Sequence, residues 1–204
     1  MFIGEYKLSN LLSYLGAALS VVSMTYVWSY DLDLAMIFFI LAGLCDLFDG
    51  RFARLFKRST AEQAFGIELD SLCDMINFVA LPLVLLIQVA YQGWLTQVIA
   101  ILYALAAITR LAYFNRNAKG AEERAPYFIG LPVTYSALVF PVWYVICSII
   151  HQDLFGLSLP YLVVLLSLAF VWNRQIPKPD KKAYQIFLIL ALLTTAYLLV
   201  KLLW

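Results

Sequence analysis

Residues 34–56 read LAMIFFILAGLCDLFDGRFARLF, and residues 67–91 read IELDSLCDMINFVALPLVLLIQVAY. Each run is long enough to cross the hydrocarbon core of a bilayer, which takes about 20 mostly apolar residues. Each also carries charge that such a run rarely tolerates. Asp46, Asp49, Arg51, Arg54, Glu68, Asp70 and Asp74 all fall between positions 46 and 74. Charges inside membrane spans are costly, and by default they mark function.

The rest of the chain supports the membrane reading. Its 204 residues are 64% hydrophobic and 13% charged, with a mean hydropathy of +0.85. Soluble domains average about 45–50% apolar and about 25% charged. One small core cannot hide that excess, because a domain of this size still exposes much of its surface. The composition excludes a disordered chain and a secreted disulfide scaffold. A net charge of +1 gives no field that would draw nucleic acid. Cys45, Cys73 and Cys147 lie in apolar runs without metal or redox spacing, and His151 is the single histidine. Any chemistry therefore runs on carboxylates.

Candidate spans fall at about 8–28, 34–56, 67–91, 94–116, 128–150, 157–173 and 183–203. The fold class expected is an all-α polytopic membrane bundle of six to eight spans, with seven the best count. Met1–Lys7 lacks the features of a signal peptide, and Phe2, Ile3 and Tyr6 suggest a short interfacial helix. Pro177 and Pro179 break the chain before the last span, and Gly93 and Gly156 mark further breaks. With the N-terminus in the cytoplasm, Lys57, Arg58, Arg116, Lys119, Arg124, Arg174, Lys178, Lys181 and Lys182 share the cytoplasmic side. Asp31, Asp33, His151, Gln152 and Asp153 occupy the outer loops, and Lys201 is the one basic residue outside. This is a positive-inside pattern.

The spacing of the charges is helical. Asp46, Asp49, Gly50, Ala53 and Arg54 share one helix face, and Gly66, Asp70 and Asp74 share another. A short hairpin over Lys57–Ala64 makes these helices antiparallel neighbours. Four carboxylates then converge and repel unless cations compensate them. Hard divalent ions with oxygen ligands, Mg²⁺ or Mn²⁺, suit that donor set. The small residues at 50, 53 and 66 either let a ligand approach the backbone or let the helices pack tightly.

Asp46-x-x-Asp49-Gly50-x-x-Ala53-Arg54, followed by Gly66-x-x-x-Asp70-x-x-x-Asp74, resembles the signature of the CDP-alcohol phosphotransferases. The interval between Arg54 and Gly66 is longer than that family's usual one, and the extra residues fall in the polar hairpin. Leu69–Phe78 with Pro82, Arg110–Asn115 and Phe128–Pro132 are similar to runs of the phosphatidylserine synthase branch, so the likeness covers roughly 40–140. Thr134 departs from that branch, where a second proline often follows.

The resemblance implies a single membrane domain over 1–204: catalytic helices at about 34–91, acceptor-side helices at about 94–150 and further spans at about 157–203. It implies transfer of a phosphatidyl group from CDP-diacylglycerol to L-serine, with release of CMP. By the same resemblance Asp46, Asp49, Asp70 and Asp74 hold one or two divalent ions, and Asp70 and Asp74 are catalytic, Asp74 as the base. Gly50, Ala53, Arg54 and Gly66 line the CDP pocket. A homodimer is likewise implied.

The chemistry of the residues fits that outline. Arg54 can fork onto phosphate oxygens, and an alcohol needs a carboxylate to take its proton as it attacks. Serine brings a carboxylate that Arg110 can pair; alternatively Arg110 snorkels to lipid phosphate or pairs with Glu68. Asn115 either meets the acceptor or caps its helix. Glycerol phosphate, inositol phosphate, inositol or an amino-alcohol are the competing acceptors. A cation transporter is the competing class, disfavoured because the carboxylates lie at one membrane face and no repeat is visible. Trp28, Trp94, Trp143, Trp172 and Trp204 read as an interfacial belt, Tyr103 and Tyr113 as packing contacts, and Ala100 with Ala104 as a helix interface.

Overall fold

A computed structural model describes residues 3–118, 127–151 and 153–204. Its helices are α1 (Leu11–Trp28), α2 (Leu32–Ala53), α3 (Thr60–Asp74), α4 (Leu81–Val89), α5 (Trp94–Ala118), α6 (Ser136–Ile150), α7 (Leu154–Val171) and α8 (Lys181–Leu203). A π-helical stretch, Met75–Ala80, joins α3 to α4, so Thr60–Val89 runs as one long crossing. Among the described residues six helical segments are long and apolar enough to cross a membrane. The 22-residue α2 has the length of a seventh, and its charges, Asp33, Asp46, Asp49 and Arg51, leave no 18-residue stretch of it as free of charge as the six provide. The chain is a polytopic helical membrane protein.

The expected spans match these helices to within a few residues at most ends. The largest shifts are at α6, which starts at Ser136 instead of near 128, and at α3, which starts at Thr60 inside the expected hairpin. Ser59 caps α3: its hydroxyl accepts from the Glu62 amide while the Glu62 carboxylate accepts from the Ser59 amide. Gly156 is no break but part of α7, where a side chain would press on the Val89 carbonyl. The expected N-terminal interfacial helix is absent from the described residues; the first helical turn is Leu8–Asn10, which runs into α1. Phe2, Lys119, Arg124 and Gln152 lie outside the described residues.

A small β element is superimposed on the helices. β1 (Tyr127–Ile129) pairs antiparallel with β2 (Gln175–Pro177), Phe128 opposite Ile176. Gly130 follows β1 at φ +74°, and a side chain there would strike the Phe170 carbonyl. Only glycine makes that turn without strain. The turn lets the Leu131 amide reach the Ala169 carbonyl and ties α6 to the end of α7.

Small residues set the helix spacing around the site. On α1, Ser13, Gly16, Ser20, Ser23 and Val27 are buried at helical intervals. Gly16 packs against Cys45 of α2, and Ser23 donates to the Ala35 carbonyl at 2.7 Å. Gly43 of α2 lies directly against Ala137 of α6. At the far end of α2, Asp33 binds Lys201 of α8 at 2.7 Å and accepts from the Tyr144 hydroxyl at 2.8 Å. At the near end, Arg51 stands 5.3 Å over the ring of Tyr184 at the start of α8. These two contacts fix α8 antiparallel to α2, as an odd number of crossings requires.

The π-helical stretch also has a local cause. Pro82 has no N–H to offer the carbonyl one turn back. That carbonyl, on Phe78, accepts instead from the fully buried Tyr103 hydroxyl of α5 at 2.8 Å. Asn77 in the same stretch accepts from Ser20 of α1 at 2.7 Å. The segment after Asp74 is therefore held from both sides. The indole of Trp143 donates to Ser158 at 2.9 Å, which makes it a bond between α6 and α7 instead of a belt residue. Trp28, Trp94, Trp172 and Trp204 are exposed as expected.

Candidate active site

The last turns of α2 and the second half of α3 bring the carboxylates together. One oxygen from each of Asp46, Asp49 and Asp70 lies within 4.8 Å of the other two. Asp74 faces Asp46 from the next turn of α3. One Asp74 oxygen is buried with no hydrogen-bond partner among the described residues. Three convergent carboxylates and an unpartnered buried oxygen make an unstable arrangement for bare anions. The donor set suits a hard divalent cation: oxygen only, anionic and drawn from two facing helices. The residues present thus fit Mg²⁺ or Mn²⁺.

Asp49 is the carboxylate buried outright, at 7% exposure. Ser13 of α1 donates to it at 2.8 Å. Sequence reasoning missed Ser13, although the spacing of Ser13, Gly16, Ser20 and Ser23 was a visible signal for a polar, small-residue face of α1. Asn10 was missed as well. It is buried at the start of α1, and its side-chain oxygen borders Gly66.

The open question about the small residues has an answer at Gly50. A side chain there would meet nothing nearer than the Arg54 guanidinium at 4.0 Å. Helix packing does not explain that glycine, because the space around it is open. Gly66 is bordered by the Asn10 side chain and by Arg58, both polar. Ala53 is buried. Arg54 is exposed, and its Nε donates to the Gly50 carbonyl at 3.0 Å, which holds the guanidinium over the mouth of the site.

Beside Asp46 a cavity of about 160 Å³ opens between α2, α6 and α8. Apart from Asp46 its walls are mostly apolar, with Ile40, Leu44, Leu47, Leu138, Phe187 and Leu188 among them. Asn115 reaches α3, where its amide donates to Ser71, the residue after Asp70, at 2.8 Å. Arg110 is elsewhere. Its guanidinium donates to the carbonyls of Leu131 at 3.2 Å and Gly130 at 3.5 Å, and it lines a second cavity. No contact with Glu68 joins it among the described residues. His151 lies in an exposed loop beside Asp153, far along the chain from the carboxylates.

Comparison with known proteins adds independent findings. Residues 6–127 match the sequence model of the CDP-alcohol phosphatidyltransferase family. The chain is 37% identical over 114 residues to the CDP-diacylglycerol–serine O-phosphatidyltransferase of Saccharomyces cerevisiae, covering 52% of this chain and 40% of that protein. It is 33% identical over 137 residues to the Helicobacter pylori protein of the same name, covering 66% of this chain and 55% of that one. An archaetidylserine synthase from Methanothermobacter thermautotrophicus is 28% identical over 174 residues, covering 85% of this chain and 70% of its own. The chain thus spans about half the length of the first two relatives.

Proposed function

Since the chain belongs to the CDP-alcohol phosphatidyltransferase family, we propose that it moves a phosphatidyl group from CDP-diacylglycerol to the hydroxyl of L-serine. The observation that carries this reading is the convergence of Asp46, Asp49 and Asp70 next to an apolar cavity. Few sites other than one for a lipid pyrophosphate need three carboxylates, an exposed cationic side chain and an apolar slot together. The names of the relatives favour serine among the alcohols.

In this reading Asp46, Asp49 and Asp70 hold the divalent ion, with Asp74 beside them. When bound, the ion supplies neutralisation of the pyrophosphate charge and polarisation of the transferred phosphorus. Arg54 grips phosphate oxygens at the mouth, and Gly50 leaves the backbone open to the CDP moiety. One lipid tail occupies the slot between α2, α6 and α8. The serine oxygen attacks the phosphorus, its proton passes to Asp74, and the phosphoanhydride bond to CMP breaks. Asn115 borders the acceptor. The site faces the cytoplasm, and the protein works as a homodimer in the cell membrane.

The test is CMP release by purified protein given CDP-diacylglycerol and one alcohol at a time. L-Serine is expected to support release, while glycerol phosphate, inositol phosphate and inositol do not. Asp74→Asn is expected to lower the rate by about a hundredfold or more, the range for loss of a general base. Equal release with every alcohol, or wild-type turnover by Asp74→Asn, contradicts the reading.

A further inference from the structure

We propose that the cavity around Arg110 is a binding site for the phosphate of an anionic phospholipid, separate from the site at the carboxylates. The cavity measures about 230 Å³ and lies between the cytoplasmic ends of α5 and α7. Thr109, Arg110 and Tyr113 form one wall, and Phe170, Trp172 and Asn173 the other. It shares no lining residue with the cavity beside Asp46.

The partition between the two cavities is β1 itself. Successive side chains of a strand point to opposite faces. Phe128 accordingly lines the cavity of Asp46, and Ile129 lines the cavity of Arg110. A ligand of Arg110 is thereby screened from the reacting carboxylates.

The charge of Arg110 is what calls for a ligand. The residue is 5% exposed. Its Nε and one Nη donate to the Leu131 and Gly130 carbonyls; the other Nη donates to nothing among the described residues. No carboxylate pairs with it among the described residues. A guanidinium buried beside a cavity without a counter-anion is costly, and a phosphate is the anion its fork fits.

The rim favours a lipid over a soluble anion. Val171 and Trp172 on the rim are 50% and 61% exposed on a membrane helix. A tryptophan at a span end sits at headgroup depth, where lipid phosphates lie. Acyl chains of a lipid held there continue along the exposed faces of α5 and α7, which present Leu102, Leu105, Leu165 and Leu168.

The proposal is tested by lipid retention, which does not depend on the enzymatic reading. Purified protein is loaded with dioleoyl phosphatidylglycerol in phosphatidylcholine nanodiscs, and retained phosphatidylglycerol is counted by native mass spectrometry. The wild type is expected to hold one such lipid that inorganic phosphate does not displace. Arg110→Gln and Asn173→Asp are each expected to reduce its retention about tenfold or more, and Asn173→Asp is expected to leave the KM for serine unchanged. Asn173→Asp matters because it sets an anion at the rim while leaving the bonds of Arg110 to the backbone intact. Retention that survives Asn173→Asp overturns the proposal. Displacement by inorganic phosphate overturns the lipid assignment, and a raised KM for serine with retention intact makes the cavity an acceptor site instead.

Discussion

Asp49 has the least exposure of the four carboxylates, and it owes its orientation to a helix outside the pair that carries them. Ser13 reaches across from α1 to hold one of its oxygens at 2.8 Å. A hydroxyl in that position fixes a ligand oxygen without adding charge, the role that groups behind metal ligands commonly play. Ser13→Ala is therefore expected to raise the Mn²⁺ concentration needed for half-maximal activity about tenfold, with little change in the rate at saturating metal. An activity assay across a Mn²⁺ series reads this directly, and an unshifted midpoint removes Ser13 from the site. Each Asp was legible in the sequence because charge is scarce in spans. For Ser13 only the polar face of α1 was legible and not its bond to Asp49, because a small hydroxyl in a membrane helix usually satisfies itself on its own backbone. The depth of Arg110 in a span was legible too, but its bonds to the Leu131 and Gly130 carbonyls were not, because they depend on the Gly130 turn, a tertiary contact.

At the scale of elements, the stretch after Asp74 is the least regular part of the bundle and the most firmly tied. Pro82 leaves the Phe78 carbonyl in need of a donor, and Tyr103 supplies one. Tyr103→Phe keeps the ring and removes that donor, together with the hydroxyl's 3.3 Å contact with Ser136. It is expected to cost about 1–3 kcal/mol of stability, the penalty for a buried carbonyl left unpaired. Thermal unfolding in detergent measures it, and an unchanged midpoint means that another group satisfies Phe78. The helices themselves were legible from apolar length alone. Their ends were not always so: the Ser59–Glu62 cap extends α3 into what reads as a polar hairpin, and β1 with β2 lies in segments too short for a strand pattern to show. The strand pair nevertheless decides which residues face which cavity.

At the scale of the whole molecule, two contacts at opposite ends of α2 make the topology a physical statement. Asp33 with Lys201, and Arg51 with Tyr184, align the first charged helix with the last helix along their full length. Lys201 is the basic residue that the positive-inside pattern leaves outside, and its pairing with Asp33 explains how the bundle tolerates it. Cysteines placed at Arg174 and at Asp153, both exposed, are expected to react with an impermeant thiol reagent from opposite sides of the membrane, Arg174→Cys from the cytoplasm. Labelling of both from one side breaks the seven-crossing arrangement. The helical membrane plan was readable from composition, since hydrocarbon imposes helices. What α8 contributes was not readable, because the wall it gives to the cavity beside Asp46 exists only once α2 and α6 stand against it.

The central claim is that the cluster of Asp46, Asp49 and Asp70 is a divalent-metal centre for phosphatidyl transfer. It is tested most directly by stripping the purified protein with a chelator, supplying CDP-diacylglycerol and L-serine, and following CMP as Mn²⁺ is returned. The predicted result is no CMP without metal, and then CMP in equal amount with phosphatidylserine as Mn²⁺ rises. Undiminished CMP release in excess chelator would contradict it.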